Sequence, residues 1–542
     1  MDSTTTLPEA ALPADAPAAP PVPADAAQPR RRKRAKHSTK ALAIRGVAFN
    51  WIGRCCSFLV TFVATPIILS RLGNEAYGLW AIVMSVGSYY SLADVGMQSA
   101  CVKYIAEFEA KGDRAATNRL FSTSLVLYSV MALVVLLAAV PVAWAFPLIF
   151  EITEQSVSTV RWATFLTGAS IAVKLQSQVF GASIKALKRF DVDNLISVVT
   201  QVLQAGLMIA AVTLGYGLVG MAWALLATTI LNRGADVWAS NWLLGGSPRE
   251  RMWGFDREMF RRFFRFGSWT VIRQVANRIH HKSAPLIIGL LSGPAVVPFY
   301  TLASSLIGKA HSLTMGVSSV VMPVASQLDA QKRHDALLRM MVLSARMMVL
   351  LAMTVAVVLF FLGGTFIELW LGPGYAERVE PVLRVLSLVF VADCVSGGMR
   401  QMLTGIDRIE FVTKLNFITA GTTVLFGAAL VWQIGVMGMA WALLISSVIV
   451  NVVICPLMTC RIYGYSYWKF LALVLTPPLA ACLPGFVAGW WAVGQSPPTR
   501  LLEWFPMAIV VAAPIGLTAL VVCLDRGTRR DIAASLGLVR VK

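Results

Sequence analysis

From residue 46 to residue 524 the chain is a succession of long apolar runs separated by short polar gaps. No other feature limits the fold so strongly. A bilayer core about 30 Å thick is crossed by roughly 20 residues of α-helix. Inside it the backbone must satisfy its own hydrogen bonds, which a helix does within one segment. A transmembrane barrel would instead show alternation in pieces of roughly 10 residues, and that pattern is absent. The expectation is an all-α integral membrane protein of about 14 transmembrane helices. The spans read as 46–69, 76–99, 120–146, 157–182, 191–214, 217–243, 264–291, 294–323, 340–363, 381–403, 411–433, 435–458, 468–492 and 504–524.

Charge sets the orientation. Only 14% of the 542 residues are charged, yet the formal net charge is +19. The gaps on one side, with the C-terminal tail, hold more than twenty Lys and Arg; the gaps on the other hold Arg71, Arg378 and Arg500. Positive charge accumulates on the cytoplasmic side of membrane proteins, so both termini are expected there, in a multi-pass protein. Bases spread between spans set topology, and they do not form a surface for nucleic acid. Residues 1–29, rich in Ala, Pro, Ser, Thr and Asp and without an aromatic, cannot bury enough surface to order themselves. With the basic block Arg30–Lys36 they read as a disordered cytoplasmic tail over 1–40. No apolar core lies there for a cleavable signal peptide. All eight cysteines fall in or beside apolar runs without metal-ligand spacing, as small buried hydrophobes do.

The chain also repeats itself. Gly217-Leu-Val-Gly220-Met-Ala-Trp223-Ala-Leu-Leu226 recurs as Gly435-Val-Met-Gly438-Met-Ala-Trp441-Ala-Leu-Leu444, with eight of ten positions identical. Arg54, Pro66 and the Ala76–Trp80 region match Arg273, Pro285 and the Ala295–Phe299 region, and Glu107–Lys111 resembles Gln327–Gln331. Six spans per copy is an even number, so the copies run in the same direction, related by an axis along the membrane normal. The organisation expected is an N-lobe over 41–245, a C-lobe over 246–460, two further spans over 461–525 and a cytoplasmic tail over 526–542. Two such bundles suit alternating access to a site between them; a repeated bundle can also be purely structural.

Charges within spans are costly and face a cavity or a partner. Here they are mostly cationic: Arg54, Arg161, Lys174, Arg233, Arg273, Arg278, Lys282, Lys309 and Arg346, against Asp94, Asp236 and Asp393. Helical spacing sets Arg273, Asn277 and His280 on one stripe of the seventh span and Gln274, Arg278 and His281 on the next. A segment so polar should line water or a partner. If Arg54 and Arg273 are equivalent in the repeat, they face each other across a central cleft, where bidentate arginine suits a phosphate. The candidate substrate-binding residues are Arg54, Lys174, Arg273, Arg278 and Lys282. Asp94 is a candidate for ion coupling or for structure, and Pro66 and Pro285, which remove a backbone donor, are candidate hinges or ordinary kinks. Arg161 and Arg346, near span ends, can snorkel, and Arg233 and Asp236 can neutralise each other. No nucleotide loop, zinc spacing or large external loop marks an enzyme.

Leu69-Ser-Arg-Leu-Gly73-Asn-Glu-Ala-Tyr77-Gly78-Leu-Trp80, Leu92-Ala-Asp94-Val-Gly96-Met97 and Lys103-Tyr104-Ile-Ala resemble the opening of Wzx-type polysaccharide flippases. These belong to the MOP (multidrug/oligosaccharidyl-lipid/polysaccharide) exporter superfamily, with MATE-like folds. Glu368-Leu-Trp370-Leu-Gly372 with Tyr375-Ala resembles their mid-chain motif, and Gly217–Trp223 the opening of their sixth helix. The resemblance implies a two-lobe transporter that moves undecaprenyl-diphosphate-linked oligosaccharide to the periplasmic leaflet for exopolysaccharide or O-antigen synthesis. It implies a cationic cavity, no cofactor, and for some relatives coupling to H+ or Na+. The partners implied are membrane lipids, the lipid-linked glycan, a polysaccharide polymerase and other assembly proteins. A lipid II-type flippase or a multidrug exporter of the same superfamily are the alternatives, the latter opposed by the cationic residues.

Overall fold

The computed structural model describes residues 29–94, 96–245, 254–495 and 498–523. Each expected span falls on a helix. In chain order they are α1 (Pro29–Tyr90), α2 (Met97–Lys111), α3 (Arg114–Ile149), α4 (Val157–Gln176), α5 (Gln178–Ala186), α6 (Phe190–Thr213) and α7 (Gly217–Leu244). Then follow α8 (Arg257–Lys282), α9 (Ala284–Ser292), α10 (Val297–Ala330), α11 (His334–Leu371), α12 (Ala376–Gly405) and α13 (Ile409–Ile434). The last are α14 (Val436–Ser447), a π-helical turn (Val448–Ile454), α15 (Cys455–Ile462), α16 (Tyr467–Gln495) and α17 (Leu501–Val522).

Among the described residues, ten helices are long and apolar enough to cross a bilayer by length and composition alone. α1 counts once there although it carries two expected spans, joined at Gly73 (φ 80°, ψ 171°). Three expected spans fail that test, those on α4–α5, on α8–α9 and on α10. All three line the cavity described below, where polar residues have a reason to be. Elsewhere the outer faces are apolar: Leu148 is 84% exposed, Leu502 82% and Trp432 78%. A surface so apolar is suited to hydrocarbon, not water.

The repeat is visible in the backbone. Residues in the left-handed region recur 218 to 220 positions apart: Gly73 and Gly293 (φ 80° and 83°), Gly112 and Lys332 (70° and 54°), Lys188 and Asp407 (58° and 62°), Gly217 and Gly435 (53° and 61°), Gly245 and Gly464 (60° and 62°). Each sits where one helix hands over to the next, a position that favours residues tolerant of positive φ. Gly220 and Gly438 are equivalent in packing too. A Cβ on Gly220 would meet the side chains of Ala211 and Tyr216, and one on Gly438 would meet the Leu430 backbone. The copies differ in where helices break. α8 and α9 are separated at Ser283 whereas α1 runs unbroken through the matching stretch, and α4 and α5 part at Ser177 whereas α12 is continuous.

Two expectations change. α1 begins at Pro29, so the basic block is helical rather than part of a disordered tail. Proline is well placed in a first helical turn, and the Arg, Lys and Ala that follow propagate a helix. Residues 1–28 and 524–542 lie outside the described residues. Pro66 and Pro285 are not matched kinks: Pro285 opens α9, where its missing N–H costs nothing, while Pro66 sits inside helical α1. The cysteines are free; six are buried, Cys56 is half-buried and Cys55 is exposed on α1.

α16 and α17 pack together and against α11. Arg346 of α11 holds both, its Nε donating to the Leu473 carbonyl (2.8 Å) and its Nη1 to the Cys523 carbonyl (3.2 Å). Trp504 adds an Nε1 bond to the Leu362 carbonyl (2.9 Å). Arg346 thus turns inward as a clamp instead of snorkelling.

Candidate functional site

Between the two halves lies a cavity of about 1070 Å³, at the upper end of ordinary ligand sites. α1, α4, α6 and α7 wall one side; α8, α9 and α10 wall the other. A second chamber of about 430 Å³ continues from it, sharing Ser91, Lys174, Asn232, Arg233 and Arg278, and leads toward Lys185 and Asp193 at the helix ends.

Polarity is divided unevenly. None of the described residues lining the larger cavity is acidic, while Lys174, Arg233, Arg278, Lys282, Lys309 and His281 all reach it. The acids line the second chamber, and each has a partner. Asp236 pairs with Arg233 at 2.8 Å, Asp193 with Lys185 at 3.8 Å, and Asp94 accepts from the Tyr128 hydroxyl at 2.7 Å. Among the described residues no carboxylate stands within ion-pair distance of Lys174, Arg278, Lys282 or Lys309. Arg233, Arg278 and Lys185 are near enough to repel Lys174, and Arg278 repels Lys282. Converging cations in a low-dielectric wall are costly unless an anion or water answers them. The arrangement has the charge to answer an anion.

Of the residues expected to bind substrate, Lys174, Arg278 and Lys282 converge here. Arg54 does not line either chamber: it is exposed on α1 and its Nη1 donates to the Ser312 carbonyl of α10 at 3.3 Å, across the seam between the halves. The Arg273 side chain lies outside the described residues. On α8 the stripe Gln274, Arg278, His281 faces the chambers, while His280 turns to Thr423 of α13 at 3.0 Å. Asp94 lies in the second chamber, beside Lys174, and Pro285 lines the larger one. Sequence reasoning missed the hydroxyl and amide wall: Ser85 and Ser88 on α1, Ser91 in the 3-10 turn that follows it, and Ser197, Thr200, Gln201 and Gln204 on α6. Their helical spacing was the available signal.

The motif residues build something else. Trp370 stacks on Phe62 at 5.3 Å and donates Nε1–H to its carbonyl at 2.8 Å. The Tyr375 hydroxyl donates to Asn74 Oδ1 at 2.9 Å, and Arg378 lies 5.2 Å over Phe299. Gly78 sits against Pro294 so closely that a Cβ there would strike its carbonyl. These contacts close the end opposite the second chamber. Beside them Glu75 is buried and holds the 150–156 turn, accepting from the Thr153 hydroxyl and from the Thr153 and Glu154 amides (2.9 and 3.0 Å). Burial pushes its carboxyl up, but these bonds outweigh that and leave it below the usual glutamate range.

Residues 68–380, more than half of the chain, match the family described as polysaccharide biosynthesis protein. A membrane protein of Bacillus subtilis named EpsK is 22% identical over 77% of this chain and 83% of its own length. A Shigella flexneri protein named as an O-antigen transporter is 20% identical over 72% of this chain and 94% of its own. Among solved structures, the lipid II flippase MurJ in an inward closed conformation aligns with a TM-score of 0.68 at 12% identity, over 90% of this chain and 99% of MurJ. An inward-facing MATE transporter of the MOP superfamily aligns with a TM-score of 0.60 at 17% identity, over 76% of this chain and 96% of that one. At such identities these two likenesses speak for the fold alone.

Proposed function

This chain belongs to the polysaccharide biosynthesis protein family, and we propose that within it the protein flips undecaprenyl-diphosphate-linked oligosaccharide units across the bacterial inner membrane by alternating access. The observation that carries this reading is the group of four cations, Lys174, Arg278, Lys282 and Lys309, without carboxylate partners in a cavity between the halves. A lipid diphosphate has a charge that answers them, and the adjoining space accommodates a polar head.

Positive-inside bias puts the second chamber, with Lys185, toward the cytoplasm, and the Trp370–Phe62 closure toward the periplasm. The head group then enters from the cytoplasmic side, its phosphates drawn by the unpaired cations. Separation of Gly78 from Pro294 and of Tyr375 from Asn74 releases it to the other leaflet. A multidrug exporter of cationic compounds would need acids where this cavity has bases.

The test is Arg278→Gln with Lys282→Gln, in cells and in liposomes. The expected result is loss of surface polysaccharide and of glycolipid flipping while the protein stays in the membrane at normal level. Normal polysaccharide in the double variant would refute the site.

A further inference from the structure

Four hydroxyls of the cavity wall have already spent their hydrogens on the backbone. The Ser88 hydroxyl donates to the Ser85 carbonyl (2.6 Å), Thr167 to Ala163 (2.8 Å), Ser170 to Thr167 (2.7 Å) and Thr200 to Ile196 (2.7 Å). A hydroxyl has one hydrogen and two lone pairs. Each of these groups therefore offers a ligand only acceptor capacity. The amides are partly committed: Asn232 gives one amide hydrogen to Thr200 Oγ1 (2.9 Å) and Gln201 gives one to Ser57 Oγ (2.8 Å), which leaves each a carbonyl oxygen with two lone pairs and a single N–H for the ligand. The cations next to this wall are donors only.

The cavity is thus split into a donor patch and an acceptor wall. Phosphate oxygens satisfy the first and cannot satisfy the second. What satisfies the second is a ligand rich in O–H donors. Tyr300 and the His281 imidazole are the aromatic rings among the described lining residues, so ring stacking is limited and hydrogen bonding carries the recognition.

We propose that the Ser88, Thr167, Ser170, Thr200, Gln201 and Asn232 wall selects head groups by their free hydroxyl donors, so that the protein discriminates among lipid-linked glycans by hydroxyl substitution. This rests on the flippase reading above. Each substrate hydroxyl is worth about 0.5–1.5 kcal/mol as a net hydrogen bond, a factor of about 2 to 13. Removing three donors should slow transport at least about tenfold.

Full-length protein in liposomes is given a fluorescent polyprenyl-diphosphate trisaccharide and its counterpart with three hydroxyls replaced by fluorine. Fluorine keeps the size and removes the donor. The expected result is flipping of the native compound and at least tenfold slower flipping of the fluorinated one. Thr200→Val with Asn232→Leu should narrow that gap by slowing the native compound selectively. Equal rates for both compounds in the unaltered protein overturn the acceptor wall and leave the flippase reading standing. Failure to move either, relative to protein-free vesicles, overturns both. The comparison of the two compounds needs no variant, so it holds even if the double substitution does not fold.

Discussion

Gly78→Ala isolates the closed end from everything else in the protein. The added Cβ meets the Pro294 carbonyl oxygen, lies 2.8 Å from its carbonyl carbon and 3.3 Å from Pro298 Cδ. Proline main chain and ring cannot rotate aside, so the cost falls on the contact itself, about 1–3 kcal/mol for overpacking. It is incurred only while the halves touch there. A cost confined to one of two states shifts their ratio by about 5- to 150-fold. The closure should therefore open in a large share of molecules. The assay is labelling of Thr301→Cys, on the cavity wall, by an impermeant maleimide added to the side facing the closure. Labelling should rise at least fivefold in Gly78→Ala over Gly78 protein. Unchanged labelling, with the variant present at normal level, refutes the role of this contact.

Glu75 supplies a pH dependence of known sign. Its carboxyl is held low in the folded state, so the stability it adds is present above the usual carboxylate range and is lost as pH falls through its lowered value. Proteolysis of the 150–156 turn should accelerate in acid, and Glu75→Gln should already be fast at neutral pH; a pH-independent rate in the unaltered protein contradicts this. Arg346→Met removes two charge-assisted bonds worth about 1.5–3 kcal/mol each before relaxation, and a thermal scan in detergent should show a lower midpoint with α16–α17 the first region cleaved. An unchanged midpoint would count against the clamp. Arg54→Gln, which touches the seam and not the chambers, should reduce glycolipid flipping less than Arg278→Gln does; the reverse order in a liposome assay would return Arg54 to the substrate.

Much of this was open to reading along the chain. Apolar runs in lipid have one inexpensive conformation, because an unpaired N–H or C=O has no water to turn to. The helices on all expected spans follow from that local rule. So does the duplication, since Gly217 and Gly435 recur in sequence and both take a positive φ (53° and 61°). The polar character of α8 also announced a cavity. Helix breaks were less legible: Ser177 interrupts its helix where the sequence shows only polar residues, and of the two matched prolines Pro285 goes with a break, at Ser283, while Pro66 sits inside a helix.

What the sequence could not supply was convergence. Arg54 and Arg273 match in the repeat, yet Arg54 turns to Ser312 and lines neither chamber. Lys174, Arg278 and Lys282 come from helices more than 80 residues apart in part, and only the rotation of α4 against α8 brings them to one wall. The same holds for the motif residues Asn74, Gly78, Trp370 and Tyr375, which lie about 300 residues apart in sequence but meet at the closure. The sequence alone settled that this chain lies in a membrane as helices and is built twice, because backbone satisfaction and periodicity act over a few residues. Which side chains share a cavity, and which of their hydrogens remain to bind with, was decided by helix rotation and packing, which depend on all the helices at once.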